Sequence, residues 1–245
     1  MEVKVKNYKI TLEYDGRNYF GWQRQQNKKS IQEEIEKALS NLLNQEIKIT
    51  GAGRTDKGVH AFGQVANFKA STRRSLNEIK NGINALLPSD IFCKKTENVN
   101  EKFSARFSAK KRYYIYKISL NYSVFEKDNY YYLRKNISIS KMNKAAQIIL
   151  NTNNFRSICK NMIDEDNYNC NIFSSEWKKI GNNKFTYNIK ANRFLYGMVR
   201  SLVGLMIKVG QKKITINEFK AILKSNNKIV FLAPANGLYL NKIYY

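Results

Sequence analysis

Residues 30–43, SIQEEIEKALSNLL, have the pattern of an amphipathic helix that covers one face of a sheet. Ser30 precedes Glu33 by three residues, the spacing at which the two side chains cap each other's backbone amides at a helix start. The residues that recur at helical intervals form one apolar stripe: Ile31, Ile35, Leu39 and Leu42. The segment is therefore predicted to be a helix with one buried face.

The segments on either side of this helix predict an α+β unit. Residues 8–14, YKITLEY, alternate apolar and polar side chains as a half-buried strand does, and further short strands are expected at 46–50 and 64–68. Residues 75–88 repeat the Ser-x-x-Glu helix start, and Pro88 ends that helix. The order strand, helix, strand, strand, helix, strand is that of a split βαβ, or ferredoxin-like, unit.

The second half of the chain has a similar order of predicted elements. They are a strand at 112–120, a helix at 140–152, a strand at 185–192, a helix at 194–210, a capped helix from Thr215, and a terminal strand at 237–245. The fold class predicted is α+β, with two ferredoxin-like halves, 1–103 and 104–245, that form a central, mainly antiparallel sheet flanked by helices. Residues 151–176 are polar and contain the acidic run DEDN, and are predicted to be a solvated insertion without a chemical role.

The charge of the chain favours a polyanionic partner. Lys and Arg number 43 against 19 Asp and Glu, for a formal net charge of +24, which attracts nucleic acid and binds it through counterion release. A compositional bias towards Lys, Asn, Ile and Tyr would also raise the charge. No apolar stretch is long enough for a membrane span, and the N-terminus lacks the core of a signal peptide, so a cytoplasmic protein without a membrane partner is expected.

The residue types that bind metals or form disulfides are sparse. Cys93, Cys159 and Cys170 are widely separated, with no C-x-x-C pair, and His60 is the only histidine. A disulfide framework, a zinc site and a His-based metal site are therefore all disfavoured. We expect reduced thiols and no metal, with His60 in a structural or RNA-binding role.

The loop at 51–64, GAGRTDKGVHAFGQ, surrounds one carboxylate, Asp56, with glycines and cations. The spacing matches neither dinucleotide-binding nor P-loop motifs, because the required glycine, lysine and hydroxyl positions hold other residues. One interpretation is a tight turn in which Gly51, Gly53 and Gly58 supply positive φ. The other is catalytic: Arg54, two residues before Asp56, would hold the carboxylate ionised and ready to act as a nucleophile or anionic stabiliser.

Residues 51–68, GAGRTDKGVHAFGQVANF, closely resemble the signature of the TruA family of tRNA pseudouridine synthases. Three further regions agree with that family: YDGRNYFGWQRQ at 14–25, SARFSAKKRYYIY at 104–116, and FLYGMVRSLVGLMIKVG at 194–210 together with APANGLYL at 233–240. The resemblance covers nearly the whole chain in order. It implies the pseudouridine synthase fold and the isomerisation of uridine to pseudouridine, without a cofactor, in the anticodon stem-loop of tRNA at positions 38, 39 and 40. It also implies a homodimer.

Residue by residue, the resemblance implies that Asp56 is the catalytic carboxylate and that Tyr113 lies beside the target uracil. It implies that Arg200 is the ion-pair partner of Asp56 and that Arg54 contacts RNA near the extracted nucleotide. The chain departs from the family where many relatives carry a His-His pair before MVR, because Tyr196-Gly197 occupies those positions. A difference in the range of target sites is expected there.

Simpler interpretations of these residues stay open on sequence alone. Tyr113 lies in an aromatic-rich strand where it could be part of the pleat packing, and Arg200 could be a surface cation on an apolar helix. Trp22 is expected in the core. A non-catalytic RNA-binding protein of ferredoxin-like fold would not need Asp56, and a nucleic-acid glycosylase would use Asp15 with Asp56, although Asp15-Gly16 is more simply a turn.

Overall fold

A computed structural model of the chain describes residues 4–160 and 167–245. The chain divides into two compact units. Of the described residues, unit 1 comprises 4–110 and 240–245, and unit 2 comprises 111–160 and 167–239. The change of unit thus falls seven residues after the boundary expected at 103, and the last six residues belong with unit 1.

Unit 1 has the order of elements that the sequence predicts. They are β1 (Lys6–Tyr14), α1 (Ile31–Leu43), β2 (Thr50–Gly51), β3 (His60–Ala70), α2 (Leu76–Leu86) and β4 (Ile91–Val99). Strand β1 pairs antiparallel with both β3 and β4, and the short β2 pairs antiparallel with β3. The loop between β2 and β3 is the glycine-rich segment that contains Asp56.

The two helices of unit 1 bury the faces that their sequences predict. Ser30 accepts a hydrogen bond from the Glu33 backbone amide, and α2 begins with a reciprocal capping box between Ser75 and Glu78. The core of unit 1 includes fully buried helix and strand residues, among them Ile31, Ile35, Leu39, Ile79, Ile83, Ile10, Leu12 and Phe68. This packing of helices on one face of an antiparallel sheet is the expected α+β arrangement.

The described residues of unit 2 form three main antiparallel strands and three helices. Its elements are β5 (Lys111–Ser119), β6 (Tyr131–Tyr132), α3 (Ile139–Leu150), β7 (Ile172–Gly181), β8 (Lys184–Ala191), α4 (Met198–Gly210) and α5 (Ile216–Lys224). Strand β8 pairs antiparallel with β5 and with β7, and β6 adds a short parallel pair to β5. The last strand, β9 (Leu238–Tyr244), begins in unit 2, and its residues from Leu240 onward belong to unit 1. The predicted α+β class is confirmed.

Helix α4 begins four residues later than the sequence predicts. Gly197 caps it with φ +72°, in the left-handed region that a side chain rarely adopts. This backbone conformation stops the helix from extending back to residue 194. Residues 194–197 therefore form a loop before α4, and the expected helix start is wrong.

The prediction of a solvated insertion at 151–176 is wrong for the residues that the structure describes. Phe155, Ile158, Cys159 and Cys170 are fully buried, and β7 begins at Ile172. Phe155, Ile158 and Cys159 do stand at the i, i+3, i+4 spacing of a helix face, but the polar composition of the segment outweighed this short signal in the prediction. Most of the acidic run, residues 164–166, lies outside the described residues.

Two general expectations concern membrane spans and thiols. In residues 4–160 and 167–245 no helix is both long enough and apolar enough to cross a membrane. Cys93, Cys159 and Cys170 are buried free cysteines, and burial raises the pKa of the Cys93 thiol, although hydrogen bonds to Thr96 and Lys95 oppose the shift. The Cys93 thiol therefore stays protonated, and the protonated form is unreactive.

Candidate active site

The loop that carries Arg54 and Asp56 is tied at its start to β3. The Ala52 amide donates a hydrogen bond to the Val65 carbonyl at 2.8 Å. The Gln64 side chain, which is fully buried, donates to the Gly53 carbonyl at 2.8 Å. The first residues of the loop are thus extensions of the sheet and do not move independently of it.

A turn closes the loop at its other end. The Val59 amide donates to the Asp56 carbonyl at 3.1 Å, and Gly58 has φ +76°. Of the three glycines expected to supply positive φ, only Gly58 does so. At Gly51 the missing side chain makes room for Trp22, since a Cβ there would lie 2.5 Å from the indole ring. Trp22 is a core residue, as predicted.

The N-terminal loop, residues 15–29, supports the backbone of Asp56 directly. The Trp22 amide donates to the Thr55 carbonyl at 3.0 Å. Gly21 has φ +97°, and a Cβ there would lie 2.6 Å from the Thr55 carbonyl oxygen and 3.2 Å from the Asp56 carbonyl carbon. Only glycine allows this approach, which holds the Thr55–Asp56 peptide against the N-terminal loop.

The Thr55 side chain anchors the centre of the loop to the end of β1. Its hydroxyl lies 2.9 Å from the Tyr14 hydroxyl, and both side chains are buried. Burial strongly raises the pKa of Tyr14, although hydrogen bonds to Thr55 and Gln64 oppose the shift, so the phenol stays protonated. The Thr55 side chain is buried in the core. The side chains on either side of it are more accessible: Arg54 is exposed and Asp56 is half-buried.

Asp15 is occupied by structural contacts. Its carboxylate accepts hydrogen bonds from the Arg17 backbone and guanidinium, at 3.1 and 2.8 Å, and lies 3.1 Å from His60 Nδ1. Burial raises the pKa of Asp15, but the Arg17 hydrogen bonds and His60 bring it below its usual value. His60 is buried, as a structural role requires. These contacts favour the turn interpretation of Asp15 over a catalytic pair with Asp56.

Cations and aromatic rings lie beside the loop in unit 1. Lys57 Nζ is 4.2 Å from the centroid of the Phe20 ring, and Lys28 Nζ is 5.5 Å from it. Phe20 is 40% exposed, which leaves ring surface for a base to stack on. Sequence reasoning missed Phe20, whose signal was an aromatic residue next to a glycine in a surface loop.

Tyr113 differs from the tyrosines that follow it in β5. Tyr114 and Tyr116 are buried, whereas Tyr113 is half-buried on the opposite face of the strand. The Tyr113 hydroxyl donates to Asn188 Oδ1 at 2.7 Å, and Lys190 Nζ lies 4.9 Å from the ring centroid. The ring is therefore held in one orientation and keeps partial access to solvent.

Arg200 lies in the first turn of α4 and is fixed by the segment after α5. Its Nε donates to the Ala233 carbonyl at 2.7 Å, and the Ala233 amide donates to the Arg200 carbonyl at 3.1 Å. The side chain is half-buried. An anchored guanidinium of this kind differs from a mobile surface cation, since its direction is set by the backbone.

The four candidate residues are divided between the units. Arg54 and Asp56 belong to unit 1, and Tyr113 and Arg200 belong to unit 2. The predicted ion pair between Asp56 and Arg200 stays a prediction, as does the place of Tyr113 beside a base.

At the departure from the family, Tyr196 is 47% exposed with Lys160 Nζ 4.7 Å from its ring centroid. Gly197 is the helix cap already described. An exposed aromatic ring with an adjacent cation thus occupies one of the two positions at which the resemblance led us to expect histidines. In the part of the chain that the structure describes, no three His, Cys, Asp or Glu side chains group as metal ligands do.

Comparison with known proteins gives consistent matches. The family model for tRNA pseudouridine synthase matches residues 10–108 and 145–245. The chain is 40% identical to the tRNA pseudouridine synthase A of Dictyoglomus thermophilum, over 98% of this chain and 99% of that protein. It is 38% identical to those of Ruminiclostridium cellulolyticum and Francisella tularensis subsp. novicida, over 98% of this chain and 100% and 95% of theirs. Among solved structures, the archaeal box H/ACA sRNP Nop10-Cbf5 complex matches with a TM-score of 0.34 and 14% identity, over 82% of this chain and 43% of that one.

Proposed function

The chain belongs to the tRNA pseudouridine synthase family, and from that premise we propose that it converts uridine to pseudouridine in the anticodon stem-loop of tRNA, at positions 38 to 40, with Asp56 as the catalytic carboxylate. The reaction breaks the bond between N1 of uracil and C1′ of ribose and joins C5 to C1′ instead. The C5 hydrogen leaves as a proton and N1 gains one. The reaction has no net oxidation or hydrolysis, and it needs no redox cofactor.

The observation that carries the proposal is the support of Asp56. The residue is half-buried, and its backbone is held by contacts with Gly21 and Trp22 and by the Tyr14–Thr55 pair. Such a preorganised group loses little freedom when it meets the substrate, and effective concentration is one of the largest sources of rate enhancement.

Two chemical routes use the same carboxylate. Asp56 can attack or stabilise the electron-poor C1′, as glycosidase carboxylates do, or it can add to the uracil ring. In either route the freed uracil must turn within the pocket before it rejoins the ribose. Both routes need an ionised acid, and we assign Arg200 as the ion-pair partner that favours this state.

The target uridine must leave its stack before Asp56 can reach it. Unstacking costs a few kcal/mol, and side chains that replace the lost contacts offset this cost. We assign Arg54, which is exposed two residues from Asp56, to the space that the base vacates. Tyr113 is assigned to the face of the extracted uracil, where its hydrogen bond to Asn188 fixes the ring.

We further propose that the enzyme acts in the cytoplasm as a homodimer. The resemblance to the family supports this, and the described residues include large apolar side chains exposed to solvent, such as Phe107 at 80% and Phe125 at 91%. Exposed apolar groups of this size are commonly covered by a partner. Sedimentation at micromolar concentration tests the dimer: a single species of 28.6 kDa would contradict it.

The Asp56→Asn variant tests the proposed function. Using tRNA labelled with tritium at uridine C5, we expect tritium release by the wild type and none by the variant, with tRNA affinity nearly unchanged. Asp15→Asn is the matched control, since it makes the same change in unit 1 at a carboxylate that is held by Arg17, and it should keep the activity.

Three outcomes would contradict the proposal. A wild type that binds tRNA without releasing tritium is a non-catalytic RNA-binding protein. Free uracil as the product, lost in both aspartate variants, indicates a glycosylase. Full activity in Asp56→Asn removes this residue from the chemistry.

A further inference from the structure

Unit 2 contains a cationic cleft. The residues that line it are far along the chain from the Asp56 loop. The cleft has a volume of about 660 Å³ and runs between residues 131–135, helix α4 and residues 230–234. Four cations line it: Arg134, Lys135, Lys208 and Lys213. None of the residues that line it is an aspartate or glutamate. A cleft with four positive charges and no carboxylate is suited to an anionic ligand.

The wall of this cleft is rigid. Residues 230–234 lie along α4 at Gly204, where a Cβ would come within 2.1 Å of the Phe231 carbonyl oxygen. The Phe231 amide donates to the Ser201 hydroxyl at 3.4 Å, and Lys208 Nζ lies 2.9 Å from the centroid of the Phe231 ring. The cleft is therefore a built feature of the fold, with Lys208 fixed in its wall.

The cleft cations differ from many other lysines of this chain. Lys9, Lys37 and Lys178, among others, form salt bridges with nearby glutamates. Across residues 4–160 and 167–245, no carboxylate lies within 4.0 Å of any of the four cleft cations. Arg134, Lys135 and Lys213 are also exposed. Their charges are available to a ligand instead of being neutralised within the protein.

We infer that this cleft binds the sugar-phosphate backbone of the RNA substrate, at phosphates outside the target nucleotide. The inference rests on the proposed function for the identity of the ligand. Arginine matches phosphate with two parallel hydrogen bonds and lysine adds point charges, and the rings of Tyr131, Tyr132 and Phe231 in the same cleft offer faces to unpaired bases. An acidic peptide would satisfy the charges but would leave the three rings without a matching partner.

The cleft is continuous with the position of Arg200. Ala233 lines the cleft, and its carbonyl accepts the hydrogen bond from Arg200 Nε. Arg200 and Lys208 are eight residues apart on α4, or about 12 Å along the helix axis. A strand that brings a nucleotide to Arg200 therefore needs only a short further run of backbone to reach Lys208, Lys135 and Lys213.

The test compares two double variants with the same change of charge. Lys135→Gln with Lys213→Gln removes two exposed cations from the cleft, and Lys141→Gln with Lys144→Gln removes two exposed cations from α3, outside it. Affinity for unmodified tRNA is measured between 50 and 200 mM salt. Losing two phosphate contacts is expected to make the negative slope of log K against log salt shallower by about 1.5. The ratio of wild-type to variant affinity therefore falls about eightfold between 50 and 200 mM salt.

The control variant should keep the slope of the wild type. Equal slopes for the two double variants, or no loss of affinity in the cleft variant, would overturn the inference. Failure of the proposed function gives a different result, because then the wild type forms no pseudouridine whatever the salt dependence. Circular dichroism confirms that both variants are folded.

Discussion

Gly21→Ala is expected to uncouple the N-terminal loop from the backbone of Asp56. A Cβ at residue 21 would lie 2.6 Å from the Thr55 carbonyl oxygen, whereas real Cβ contacts essentially never fall below 3.0 Å. The Thr55–Asp56 peptide must therefore move by about 0.4 Å or more. The native φ of +97° adds strain for any residue that has a side chain.

The expected magnitudes follow from these two effects. Backbone strain of about 1–3 kcal/mol and overpacking of about 1–3 kcal/mol predict a loss of stability of roughly 2–6 kcal/mol. A misplacement of about 1 Å can cost 100-fold in rate. Scaled in the logarithm of the rate, 0.4 Å at Asp56 predicts a single-turnover rate about five- to tenfold lower.

The assay is tritium release from tRNA labelled at uridine C5, under single-turnover conditions at saturating enzyme, together with urea unfolding. Gly181→Ala is the matched control, because its nearest neighbour would be Lys184 Cβ at 3.9 Å and its φ is not positive. It should leave the rate unchanged and stability within about 0.5 kcal/mol. A Gly21→Ala enzyme with the wild-type rate would refute the idea that this glycine positions Asp56.

Two further outcomes follow from the hydrogen bonds of the site. Tyr113→Phe removes the hydroxyl that donates to Asn188, so the variant should fold and bind tRNA normally but react at least tenfold more slowly if this proton is used; a wild-type rate in single turnover would restrict Tyr113 to stacking. Asp15 has a lowered pKa in the folded state, so its contribution to stability is present above its unfolded pKa of about 3.9 and is lost as the pH falls through the folded value. Urea unfolding should find that Asp15→Asn destabilises the protein at pH 6 and less at pH 3, and equal penalties would show that the ionised form adds nothing.

The helices of unit 1 were predictable because their signals are local. The Ser30–Glu33 and Ser75–Glu78 spacings and the apolar periods lie within a few residues of each other, and they specify a helix start and a buried face wherever the segment is placed. Helix α4 shows the limit of such signals. Its apolar pattern extends back to residue 194, but the left-handed backbone of Gly197 sets its start at Met198.

Asp56 was proposed from the sequence as the catalytic carboxylate because its neighbours along the chain form a recognisable signature. The reason for that signature is not local. The absence of a side chain at Gly51 makes room for Trp22, and its absence at Gly21 makes room for the Thr55–Asp56 peptide. These contacts join segments about 30 residues apart. The backbone angles and side-chain sizes of the loop residues alone would not have indicated these contacts.

The sequence by itself thus determined the class of fold, the order of the main elements in unit 1 and the residues that match a catalytic signature, because each depends on the chemistry of neighbouring residues. Only the tertiary structure decided that Phe155, Ile158, Cys159 and Cys170 contribute to a core, that β7 exists, and that four cations line one cleft, namely Arg134, Lys135, Lys208 and Lys213. These features arise from packing between segments far apart in the chain. Hydrophobic burial is non-directional, so no local period specifies which distant surface each segment will meet.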